Sequence, residues 1–201
     1  MIHGSVTSVG VAYSRSLAVG DLARRLCALF DTVLVAPGRG GWPLRFVGGG
    51  DREVRVELEI RAGAGVEETA PMLEHFLGAE YGELPAEVHL ADIGAVRAVL
   101  RPETAVCGLL LDLPDAALYP LRDHRRHVLV GAAIRELMLA WFDASPFEKA
   151  FADHEAEFHV DPLEVRPDSN PYALLALPAA AGDGPRLDFH AGGWPLAPGG
   201  V

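Results

Sequence analysis

Lysine is almost missing from this chain: of its 17 basic residues only Lys149 is a lysine, and the others are arginines. Ala, Gly and Val are abundant as well, so the imbalance reads as a GC-rich coding bias and not as a sign of arginine-mediated recognition. Cysteine is also scarce. Cys27 and Cys107 stand far apart in apolar stretches, which excludes a disulfide-stapled mini-protein and a closely spaced cysteine metal knuckle. Both read as small buried hydrophobes, and a reducing, cytoplasmic setting is expected. Long hydrophobic runs are missing too. The longest, 128–142, is broken by Arg135 and Glu136 and falls short of the roughly 20 residues that a membrane-spanning helix needs. Residues 1–12 lack the basic and apolar regions of a signal peptide, so no membrane location is expected.

Positive charge is short overall: 28 acidic residues against 17 basic ones give a formal charge of -11. Such an excess repels the phosphate backbone and anionic lipid, so neither nucleic acid nor a membrane surface is an expected partner. It favours solubility and a basic protein partner.

What is present suffices for a core. Half of the 201 residues are apolar, and a chain of this length buries about 70% of the surface it exposes when unfolded. Residues 2–13 roughly alternate and suit a strand. From Val19 the apolar positions Leu22, Leu26, Leu29 and Phe30 recur at helical spacing to about Asp31. The β-branched run 32–36 then predicts a strand, and 43–47 another. Residues 53–61 alternate most clearly, with Val54, Val56, Leu58 and Ile60 opposing Glu53, Arg55, Glu57, Glu59 and Arg61. One wet face implies an antiparallel sheet.

A second helix is expected from Pro71 at a first helical position, followed by short strands in 88–93, 95–100 and 105–113. Residues 127–142 predict a helix apolar on nearly every face, hence central and buried. Ser145-Pro146-Phe147-Glu148 has the pattern of a new helix start, and 156–160, 172–177 and 186–190 read as strands. The fold class is therefore α+β: a mixed or mostly antiparallel sheet with about four helices. Its first ninety residues run β-α-β-β-β-α-β, near a ferredoxin-like order. Residues 1–178 are expected to form a single globular domain, and 179–201 an Ala/Gly/Pro-rich tail with one short strand.

No motif names a reaction. The glycine loops at 38–41 and 48–50 lie between strands and lack the Lys-Ser or Lys-Thr of a nucleotide loop, and no Gly-x-Ser-x-Gly elbow occurs. The densest titratable cluster is Asp153-His154-Glu155-Ala156-Glu157-Phe158-His159. On a helix its two histidines diverge by about 140°; on a strand Glu155, Glu157 and His159 share a face while His154 points away. A zinc-protease pair is therefore not formed, and neither metal nor cofactor is expected. The basic run 122–127 opens the 127–142 helix, where positive charge opposes the macrodipole. An anion there would compensate it, but pairing with the acidic 153–164 segment is the favoured reading.

Two functions follow as expectations. The first is an acidic protein-binding module, of the immunity or antitoxin kind, that neutralises a basic protein partner through Glu53, Glu57, Glu155 and Glu157. Trp42 and Trp194 would be anchors from the repeated pentapeptide GGWPL at 40–44 and 192–196. The rival is a small metal-assisted or acid/base hydrolytic enzyme whose catalytic candidates are His124, His127, Asp153 and His159.

Overall fold

The computed structural model describes residues 5–14, 16–34, 45–49, 53–57, 66–78, 84–90, 94–101, 107–119, 124–154, 162–180 and 186–192. Among them are nine strands: β1 (Val6–Tyr13), β2 (Arg45–Gly49), β3 (Glu53–Glu57), β4 (Leu84–Leu90), β5 (Gly94–Arg101), β6 (Cys107–Pro114), β7 (Lys149–His154), β8 (Leu174–Pro178) and β9 (Leu187–Ala191). The helices are α1 (Val19–Leu34), α2 (Val66–Gly78), the short α3 (Asp115–Leu118) and α4 (His124–Ala144), with single 3-10 turns at Pro162–Glu164 and Pro167–Ser169. The chain is α+β. All strands form one sheet in the order β3-β2-β4-β5-β6-β1-β7-β8-β9, and every neighbouring pair is antiparallel.

That order follows from how the helices connect. Alternating directions across the sheet make β1 parallel to β2, β3 to β4 and β6 to β7. Each of these three connections carries a helix and skips at least one strand, and the remaining links join neighbouring antiparallel strands. In a ferredoxin-like unit β1 would stand beside strands flanking α2. Here its neighbours are β6 and β7, so the strand order departs from that expectation.

The helices share one face. Leu22, Leu26, Leu29 and Phe30 of α1, Leu73 and Leu77 of α2, and Ile134, Met138 and Trp141 of α4 are buried against Val9, Val11 and Tyr13 of β1 and Leu109 and Leu111 of β6. Burying each such side chain contributes about 1.5–3 kcal/mol. The opposite face carries a second cluster of Leu110, Phe151, Val165, Tyr172 and Leu175. There Gly10 leaves room for the Phe151 ring to lie across β1: a Cβ at Gly10 would overlap Phe151 Cζ, and Tyr172 stacks on the ring at 4.5 Å. The single lysine fastens this side, because the Lys149 ammonium donates to the carbonyls of Leu163 and Val165. Burial lowers its pKa.

Several elements differ from their expected limits. Thr32–Leu34 continue α1 instead of starting a strand; the Thr32 hydroxyl donates back to Leu29 O at 2.7 Å, which accommodates the β-branched residue in the last turn. Residues 35 and 36 lie outside the described residues. Helix α2 begins at Val66, so Pro71 is inside it and not at its start; Glu67 and Glu68 in the first turn suit the helix dipole there. Ser145-Pro146-Phe147-Glu148 forms no helix. Ser145 Oγ is taken by the Tyr13 hydroxyl at 2.7 Å, and Glu148 N donates to Ala12 O at 3.0 Å, which starts the β7 pairing. Strand β7 thus lies at Lys149–His154, while 156–160 falls outside the described residues.

Helix α4 buries one stripe and leaves Val128 52% and Leu129 61% exposed, so it covers the sheet without being enclosed. Cys27 is buried and forms no disulfide. The strand expected in the tail is β9, which pairs with β8 and buries Leu187. No described helix is long and apolar enough to cross a membrane.

Candidate functional site

Polar side chains enter the core at the start of β1, one on each side of the sheet. Thr7 and Ser8 are both fully buried, and strand alternation sends Thr7 to the helix face with Val9 and Ser8 to the face of Gly10. Thr7 Oγ1 donates to Asp115 Oδ1 at 2.8 Å, and His154 Nδ1 lies 3.1 Å from Asp115 Oδ2. The Tyr119 hydroxyl shares a hydrogen bond with the Thr7 side chain, and burial pushes its pKa up. Asp115 can hold both partners because β6 ends at Pro114 and turns directly into α3, whose first N–H donates to Ser5 O at 3.1 Å.

On the other face Ser8 Oγ donates to Asp112 Oδ1 at 2.8 Å, while the register sets Asp153 on its opposite flank. Asp153 Oδ1 accepts from His154 N at 2.7 Å. Burial raises the Asp153 carboxyl above the usual carboxylate range, partly offset by backbone donors from His154 and Ala173. Tyr172 is pushed up to about 12, first by burial and then by the charge of Asp153. Each of these groups has its donor or acceptor nearby, so the two clusters stitch β1 to β6, β7 and α3.

The residues expected to form an active centre are not gathered. His124 and His127 occupy the first turn of α4, and α4 packs on the helix face. Asp153 shares the face of Phe151, so the sheet stands between it and α4. It is His154, one residue along, that points to the helix side, and its carboxylate partner is Asp115. His159, Glu155, Glu157, Trp42 and Trp194 lie outside the described residues. Glu53 and Glu57 are on the edge strand β3, in register with Gly49 and Arg45. Among the described residues no group of three or more His, Cys, Asp or Glu could hold a metal ion.

Sequence reasoning missed the outer side of α2. Its core side is the periodic set Ala70, Leu73 and Leu77, so the intervening Glu67, Glu68, Pro71, Met72, Glu74 and His75 all face solvent. Met72 is 50% exposed. Glu74 folds back across Gly20 of α1, where a Cβ would meet its carboxylate. Arg24 of α1 pairs with Asp21, which raises its pKa, with Glu67 and Glu74 adding to the rise. Three carboxylates (Asp21, Glu67, Glu74) therefore act on one arginine, and Glu68 and the exposed Met72 lie on the same solvent side of α2. The charge pattern 66-VEETAPMLEH-75 was visible in the sequence, but only the packing of Leu73 and Leu77 shows which side is wet.

Comparison with known proteins yields no match to this chain, whether among family models, curated proteins or solved structures.

Proposed function

We propose that this chain is a protein-binding module of the immunity or antitoxin kind, and that the outer face of α2 with the adjoining turn of α1 receives a basic protein partner. The observation that carries this reading is Met72, half exposed on a helix whose solvent side also carries Glu67, Glu68 and Glu74, with Glu68 one turn before it. A flexible apolar side chain on an acidic helix surface gives an interface both halves of what it uses: an adaptable contact and polar surroundings that steer approach. The chain's net charge of -11 extends that steering over a Debye length of about 8–10 Å at physiological salt.

The test compares capture from native lysate by the intact chain and by a Glu67→Lys/Glu68→Lys/Met72→Lys variant, each at low and high salt. The reading expects a basic protein retained by the intact chain, released as salt rises, and not retained by the variant. Equal capture by both proteins, or capture indifferent to salt, overturns it.

One observation favours a second reading, acid/base hydrolysis: the Asp115–His154 pair at 3.1 Å. Asp115 fixes the imidazole through Nδ1, which leaves Nε2 as the basic nitrogen. Hydrolysis of a p-nitrophenyl ester panel that disappears in His154→Gln would support it. Turnover equal to buffer would remove it.

A further inference from the structure

Between the first half of α1 and the end of α4 runs a groove of about 460 Å³, within the size range of small-molecule sites. Its lining includes the apolar Leu17, Ala28 and Pro146 and the charged Asp21, Arg24 and Arg25. Arg25 is the unusual member. Its guanidinium lies 5.5 Å from the centroid of the buried Tyr13 ring, and one nitrogen donates to Pro146 O. Among the described residues it makes no ion pair, in a chain with 28 carboxylates to offer. Tyr13 is held in turn by its hydroxyl on Ser145 Oγ at 2.7 Å, so the guanidinium is fixed by two neutral partners. A guanidinium carries five N–H donors, and the single bond to Pro146 leaves most of them for the groove.

Arg24 is already paired with Asp21 and feels Glu67 and Glu74, so Arg25 is the guanidinium of this groove that a ligand's carboxylate can take. We propose that the groove binds a small organic monocarboxylate, with the carboxylate on Arg25 and the apolar body over Leu17, Ala28 and Pro146. A planar fork of donors matches a carboxylate in a way that no lysine would. The proposal is independent of the docking reading, because Met72, Glu67 and Glu68 do not line the groove.

Benzoate is a suitable probe, titrated into the isotope-labelled full chain at constant ionic strength, with benzamide as the neutral control of the same shape. Saturable amide shifts are expected at Leu17, Arg25, Ala28 and Ser145 with benzoate, and not with benzamide. Arg25→Gln is expected to weaken benzoate roughly tenfold or more. If Arg25→Gln fails to fold, Arg25→Lys serves as the second variant: it keeps the charge, loses the planar fork and is expected to weaken benzoate severalfold. Absent saturation, equal shifts from benzamide, or unchanged affinity in the folded variant overturns the proposal.

Discussion

Replacing Gly10 tests how the two faces of the sheet were reconciled. Glycine inside a strand is less favourable than alanine by about 0.5–1 kcal/mol, so Gly10→Ala in open space would stabilise the protein. The space is not open, because the added methyl falls on Phe151 Cζ, Cε1 and Cε2. That ring is fully buried and cannot retreat, since Tyr172 stacks on it with an interplanar angle of 24°. Overpacking of this kind costs about 1–3 kcal/mol, leaving a net loss of about 1–2 kcal/mol for Gly10→Ala. In a Phe151→Leu background the obstructing ring is gone, and the same change becomes neutral or mildly stabilising. The double-mutant cycle therefore carries a coupling of about 2 kcal/mol. Urea unfolding of the four proteins, followed by circular dichroism and tryptophan fluorescence, measures it. A Gly10→Ala loss of equal size in both backgrounds would refute the idea that glycine stands there for the ring.

Further outcomes follow from the polar clusters. Asp115→Ala strips partners from the buried Thr7 hydroxyl and from His154, and should cost about 1–3 kcal/mol, read as a lower Tm. Lys149→Met unpairs the carbonyls of Leu163 and Val165, and faster proteolysis of the 162–170 segment should report it. Burial raises the Asp153 carboxyl, so its favourable share of stability is full below the ordinary value of 3.8 and is lost as the pH climbs through the raised native value. Asp153→Asn should accordingly raise Tm at pH 7, with the gain vanishing as the pH falls to 3.8; a lower Tm at pH 7 would contradict this. For Tyr172 the share is full below 10.0 and is lost up to about 12. Ultraviolet titration should thus show one of the four tyrosines ionising near 12 in the native protein, and Tyr172→Phe should remove that step.

Much of the fold was legible wherever burial left a period in the sequence. Leu22, Leu26, Leu29 and Phe30 marked α1, Val54 and Val56 marked β3, and the apolar run after 127 marked α4. Misreadings arose where a long-range contact overruled a local signal. Ser145 and Pro146 resemble a helix start, yet Tyr13, 132 residues away, takes the serine hydroxyl and the chain enters β7. Strand order was illegible for the same reason: nothing local in VTSVGVAY announces partners beyond residue 106. As for the candidate site, the Thr7–Ser8 pair inside an apolar strand and Asp112 inside a leucine run were visible anomalies, but their pairing was not. Asp115 and His154 meet only because α3 and β7 flank the same end of β1, and Arg25 shows its lack of a carboxylate only once its surroundings are placed.

The position of β1 has a consequence for how the molecule assembles. Strands β7 to β9 can zip up as a meander from neighbouring sequence, and β4 to β6 can do the same. Yet β6 and β7 do not touch, and β1 alone joins these two half-sheets. It is made early, at about 5–20 residues per second on a ribosome, and its bond from Ser8 to Asp112 spans 104 residues. Until both flanks exist, β1 presents two unpaired edges beside the valines at 9 and 11. Closure of the sheet is thus a late insertion of the oldest strand between two younger halves, a high-contact-order step that makes β1 the keystone and the period before its insertion the time of greatest exposure to aggregation.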